Sequence, residues 1–146
     1  MIYLVHHAAA VGPDVDPQRP LSTAGRMHAD ALAARAAAKG VKPAAIWHSG
    51  KLRARQTADA FWRACNPLAE LSAIRGLQPT DAPGTIRDRL TGDSRELMLV
   101  GHMPSLPRIL HLLLTGTEEE AVEFPLHGLI ALDPADDVWI ERWRVI

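Results

Sequence analysis

The stretch ELMLVGHMPSLPRILHLLL, residues 96 to 114, changes character at its seventh position. Leu97 to Val100 form a continuous apolar run, the pattern of a strand buried on both faces. The run stops at Gly101 and His102. Beyond them a helix begins, with proline in its first turn, where a backbone N–H is not needed. A buried strand feeding straight into a helix is the unit of an α/β domain. The stretch therefore predicts a mostly parallel sheet, with a histidine at the carboxyl end of one strand.

The same alternation extends outward. Ile2 to Val5 read as a first buried strand, AAIWHS (44–49) as a second, and residues 68–73 as a weak third. Ser22 caps a helix running to about Lys39, which Gly40 stops, with Met27, Ala31, Ala34 and Ala38 at helical spacing. KLRARQTADAFWRAC (51–65) predicts a second helix, with Leu52, Ala58 and Trp62 among its apolar positions, and residues 84–90 a short third. GLIALD and VWIERWRVI predict a closing hairpin around PADD. Between the first strand and first helix, GPDVDPQRP (12–20) holds three prolines and a glycine, the composition of a surface loop. The expected architecture is one domain, residues 1–146, in a three-layer α/β/α sandwich.

Composition narrows the partners. The chain has 146 residues, 47% of them apolar, enough for a real core. Sixteen basic residues against seventeen acidic ones give a formal charge of -1, so neither nucleic acid nor an anionic membrane is an expected partner. Cys65 is the only cysteine, which excludes an intramolecular disulfide framework. There is no basic leader and no run of roughly 20 apolar residues. A reducing, cytoplasmic setting is expected.

Three predicted strand ends carry polar chemistry: His6 and His7 after the first strand, Ser49 to Arg53 after the second, and His102 after the fourth. Ligands of open α/β sheets gather beyond the carboxyl ends of the strands, so imidazoles and a guanidinium should converge there. None of the seven histidines forms a spaced pair such as H-x-x-x-H on one helix, so neither a metal nor another cofactor is expected.

VHHA (5–8), RPLSTAG (19–25), SGKLRARQT (49–57) and VGHMPSL (100–106) occur in this order, and with them the chain resembles the histidine phosphatase superfamily. It is most similar to the small SixA-type phosphohistidine phosphatases, whose fold is phosphoglycerate mutase-like. The resemblance implies that His7 is the nucleophile that accepts the phosphoryl group, Arg53 a bidentate phosphate clamp and His102 a second imidazole, cationic against the phosphoryl oxygens. His6, Ser49 and Arg19 are implied as substrate-binding residues.

Two positions depart from the family pattern of Arg-His-Gly at the first strand end. His6 stands for the arginine and Ala8 for the glycine. Loss of a permanent cation weakens phosphate binding, and His6 is expected to substitute by titrating, which makes anion affinity decline as pH rises. Relatives acting on phosphate esters place a glutamate where Pro79 stands, with Asp81 the nearest carboxylate. Without that acid an ester leaving group departs unaided, which favours a phosphoramidate such as phosphohistidine. The short span from Thr57 to His102 leaves little room for a lid and suits a phosphorylated protein, or else a small phosphorylated molecule. The competing expectation is a catalytically impaired phosphate- or phosphoprotein-binding module.

Overall fold

The computed structural model describes residues 1–118 and 122–146. Among these, four helices and six strands follow the order β1 (Ile2–His6), α1 (Thr23–Ala38), β2 (Ala45–His48), α2 (Leu52–Cys65), β3 (Glu70–Ala73), α3 (Gly84–Thr91), β4 (Leu97–Gly101), α4 (Ser105–Thr115), β5 (Leu129–Ala135) and β6 (Val138–Val145). They build one sheet in the order β3-β2-β4-β1-β5-β6. Strands β1 to β4 run parallel, and the hairpin β5–β6 adds two antiparallel strands beside β1.

The uninterrupted apolar runs have a direct cause. Every residue of β1, β2 and β4 is buried, because helices cover both faces of the sheet. Tyr3 and Val5 point into one core layer with Ala29, Leu32, Ala33 and Ala36 of α1 and Ala54, Ala58 and Phe61 of α2. Ile2 and Leu4 point into the other, against Ile86 and Leu90 of α3 and Leu106, Ile109, Leu110 and Leu113 of α4. Period-two alternation along one strand thus serves two helical layers. Strand β3 reads weakly because it is an edge, half-exposed along its length.

One helical face differs from the sequence expectation. Met27 is 69% exposed, and Ala31, Ala34 and Ala38 also face solvent, whereas Gly25, Ala29, Leu32, Ala33 and Ala36 are buried. Alanine lies on every side of α1, so its spacing cannot select a face. What selects it is Gly25: a Cβ there would lie 2.0 Å from the carbonyl oxygen of Ala9. Only glycine lets α1 sit so close to the chain leaving β1. Gly25→Ala is expected to destabilise the fold by about 1–3 kcal/mol, because the obstacle is backbone that no rotamer change can relieve. Urea unfolding of the variant would check this, and an unchanged midpoint would contradict it.

The carboxyl ends of β1, β2 and β4 lie side by side. His6 pairs with Gly101, and the His7 N–H extends the ladder to the Gly101 carbonyl at 3.1 Å. His7, Ser49 and His102 are thereby brought to one edge of the sheet.

Candidate active site

The chain around the first strand end is held by the conspicuous motifs of the sequence. In RPLSTAG, Ser22 caps α1 by accepting the Gly25 N–H at 3.0 Å, and its own N–H donates to the Ala9 carbonyl. In LRARQT, Gln56 Oε1 accepts the Leu21 N–H at 2.7 Å, tying the loop to α2. Thr57 Oγ1 accepts the Ala8 N–H at 3.0 Å and donates to the Arg53 carbonyl at 2.8 Å. One threonine therefore links the turn carrying Arg53 to the residue after His7.

His7 Nδ1 donates to the Ala8 carbonyl at 2.7 Å. This bond fixes the neutral tautomer, so the lone pair resides on Nε2. The His7 ring centroid lies 4.9 Å from that of His102 and 4.5 Å from that of His6. His102 Nε2 is 2.7 Å from Ser49 Oγ, and its buried Nδ1 has no partner among the described residues. Ser49 Oγ accepts the Lys51 N–H, and the Ser49 carbonyl accepts from Gln78 Nε2 at 2.8 Å.

Arg53 Nε is likewise buried without a partner among the described residues. Its pKa is lowered by burial and by the charge of Arg19. Arg19 adopts a left-handed φ of 49° and donates from Nε to the Val11 carbonyl at 3.0 Å. The charges of Arg53 and Arg19 both bear on His7 and His102. His6, His7, Ser49 and His102 thus meet at one end of the sheet, with Arg53 and Arg19 near enough for their charges to act on the imidazoles. Two cavities open beside them, one of about 570 Å³ lined by Ser49, Arg75, Gln78 and Asp81, the other of about 340 Å³ lined by Gly50, Lys51, Arg53 and Arg55.

Such crowding controls protonation. Burial, with the charge of Arg53 acting in the same direction, pushes His7 down to about 4 despite the favourable bond to Ala8. Burial, then His7 and Arg53, push His102 down to about 3. His102 in the free protein is therefore neutral, unlike the cation expected from sequence. An incoming phosphate dianion is the charge that favours its protonation.

The model of the histidine phosphatase superfamily (branch 1) matches residues 2–82, more than half of the chain. The chain belongs to that superfamily. Among solved structures, the candidate phosphohistidine phosphatase SixA from Agrobacterium tumefaciens is 26% identical, with a TM-score of 0.81 over 99% of this chain and 96% of that one. A protein histidine phosphatase SixA complexed with tungstate is 19% identical, with a TM-score of 0.84 over 98% and 94%. The candidate SixA of Nakamurella multipartitia is 20% identical, with a TM-score of 0.72 over 99% and 94%. A search of curated protein sequences finds no match.

Within this histidine phosphatase the two departures from the family triplet have different consequences. Ala8 is buried in the core and lies outside the left-handed φ region, so its methyl group introduces no backbone strain. His6 is 5% exposed, and its Nδ1 accepts the His127 N–H at 2.9 Å. Protonating Nδ1 would break that bond. Burial, together with His7 and His127, pushes the His6 pKa down to about 3. His6 is thus a neutral imidazole with its proton on Nε2, which corrects the expectation of a titrating cation: its body is buried against other imidazoles, and its basic nitrogen is already in use.

His127 is assigned a role by no motif in the sequence. It stacks on His6 with centroids 4.9 Å apart and planes 5° from parallel. It lies just ahead of Gly128 and β5, and a lone histidine in the connection from α4 to β5 gives no signal of its partners.

Proposed function

We propose that the chain is a metal-independent phosphatase that removes the phosphoryl group of phosphohistidine on a protein through a covalent intermediate on His7. The observation that carries this reading is the 2.7 Å bond from His7 Nδ1 to the Ala8 carbonyl, which leaves Nε2 unprotonated and free to attack. Nε2 forms a bond to phosphorus as the bond from phosphorus to the substrate imidazole breaks. That imidazole leaves as a neutral molecule when its distal nitrogen already bears a proton, so it has no need of a protein acid. Water then attacks the phosphorus, breaking the bond to His7, and inorganic phosphate departs with the water's oxygen. Arg53 holds two phosphoryl oxygens with its planar fork, and His102 and the Ser49 hydroxyl supply further donors.

The substrate class rests on the leaving-group side. Asp81 Oδ2 accepts the Gln78 N–H at 2.9 Å and the Asp81 N–H returns to the Gln78 carbonyl, so this carboxylate closes a local turn. With Pro79 beside it, neither position 79 nor position 81 presents an acid dedicated to an alkoxide. One observation favours the competing reading of a phosphate-binding module, the neutral His6 in place of a permanent cation. The same assay separates the two. Phosphate release from a phosphohistidine peptide should exceed release from an aryl phosphate ester and persist in EDTA. Release from neither substrate would favour the module, and loss in EDTA restored by a divalent ion would remove the metal-independent mechanism.

The pH profile follows from the tautomer. Protonation of Nε2 abolishes the nucleophile, and the His7 pKa is pushed down to about 4. Corrected for the titration of the substrate imidazole's distal nitrogen, the rate of His7 phosphorylation should therefore hold from about pH 7 to about pH 5 and fall with a midpoint near 4. Stability moves in the same direction. In the unfolded chain His6, His7 and His102 bind protons near the ordinary value of about 6.5, but in the folded protein only near 3 or 4. Their contribution is present above about pH 6.5 and declines as pH falls toward 3. The folded fraction must be recorded at each pH, and a midpoint of about 6 to 7 in folded protein would contradict the assignment.

A further inference from the structure

We propose that His127 is a positioning residue that holds the nucleophile in its reactive tautomer; the inference rests on the reading of His7 as phosphoryl acceptor. The peptide between His7 and Ala8 is clamped at both edges. On one side the His127 Nδ1–H donates to the His7 carbonyl at 2.7 Å. On the other the Ala8 N–H donates to Thr57 Oγ1 at 3.0 Å. The next carbonyl along, that of Ala8, accepts the proton of His7 Nδ1. Rotation of the clamped peptide would swing the Ala8 carbonyl away from the ring, and the proton could then reside on either nitrogen.

His127 is itself anchored for this task. Its backbone N–H donates to His6 Nδ1 at 2.9 Å, its carbonyl accepts from His28 Nε2 on α1 at 3.0 Å, and its ring stacks on His6. Its φ of 53° lies in the left-handed region, which a non-glycine residue adopts only when its surroundings impose it. Those three contacts supply the constraint. His127 hydrogen-bonds the backbone of His7 while its ring centroid lies 6.2 Å from that of His7, and the proposed donors to the phosphoryl oxygens are Arg53, His102 and Ser49. Its loss should therefore lower the rate of attack more than the affinity for phosphate.

The test compares His127→Gly and His127→Ala, which both remove the Nδ1 donor, with His127→Asn, which tolerates left-handed backbone and offers an amide N–H. Three quantities are read: the single-turnover rate of His7 phosphorylation by a phosphohistidine peptide, the calorimetric affinity for inorganic phosphate, and the His7 tautomer by nitrogen-15 NMR of the free protein. The deletions should slow phosphorylation by about 10- to 100-fold, leave phosphate affinity within about twofold and mix the His7 tautomers, with Asn restoring part of the rate. A wild-type rate in His127→Gly, or an unmixed tautomer with rate and affinity lost together, would overturn the proposal. So would failure of both deletions to fold, since the role would then be structural. The tautomer is read without turnover, so a wild-type protein that never becomes phosphorylated removes the proposed function while leaving this measurement to decide the clamp.

Discussion

His7→Ala should lower phosphoryl transfer by about 10,000-fold or more, the scale on which loss of a nucleophile acts when no neighbour can replace it. The nearest imidazoles do not qualify. His6 Nδ1 is occupied by the His127 N–H, and His102 Nε2 lies 2.7 Å from Ser49 Oγ. The backbone around position 7 keeps its bonds, since its N–H donates to the Gly101 carbonyl and its carbonyl accepts the His127 Nδ1–H, neither of which uses the side chain at position 7. The variant should therefore fold and still bind inorganic phosphate through Arg53. Retention of substantial turnover in carefully purified His7→Ala protein would show that another group accepts the phosphoryl.

Arg53→Lys should cost about 100-fold in kcat/KM although charge is conserved. An arginine fork donates two parallel charge-assisted hydrogen bonds, each contributing about 1.5–3 kcal/mol where water is excluded, and an ammonium supplies only a point charge. The site depends on this fork more than a site with two arginines at its strand ends would, because His6 is neutral. Arg53 Nε is buried with no partner among the described residues, and its backbone is fixed through Thr57 to the turn after His7. Clamp and nucleophile are thus held on one scaffold, and a small error at position 53 reaches the reacting geometry. Steady-state kinetics of Arg53→Lys with a phosphohistidine peptide check this, and a loss of less than about threefold would contradict the bidentate role.

Much of the architecture is legible because it depends on local patterns. Doubly buried strands give unbroken apolar runs such as Leu97–Val100, and the strand ends that follow carry His7, Ser49 and His102. The buried face of α1 is not legible, because an alanine-rich helix offers apolar residues in every direction and the deciding contact is Gly25 against Ala9, on a separate segment. Charge state is also hidden. The His6–His7 pair, His102 and His127 come from three separate parts of the chain, and only their convergence tells that burial and mutual repulsion keep His6, His7 and His102 neutral. The part played by His127 needs a left-handed backbone and a bond to a residue 120 positions away.

The central claim is that the phosphoryl group passes through Nε2 of His7. Wild-type protein mixed with a phosphohistidine peptide and denatured in alkali, where the phosphorus–nitrogen bond survives, should give a phosphorus NMR signal from phosphohistidine on the protein. Peptide mapping should assign it to His7 and to no other histidine, with a yield approaching one phosphoryl group per chain in the first turnover and none in His7→Ala. Phosphate release at full rate without label on His7, or label that persists in His7→Ala, would contradict the account.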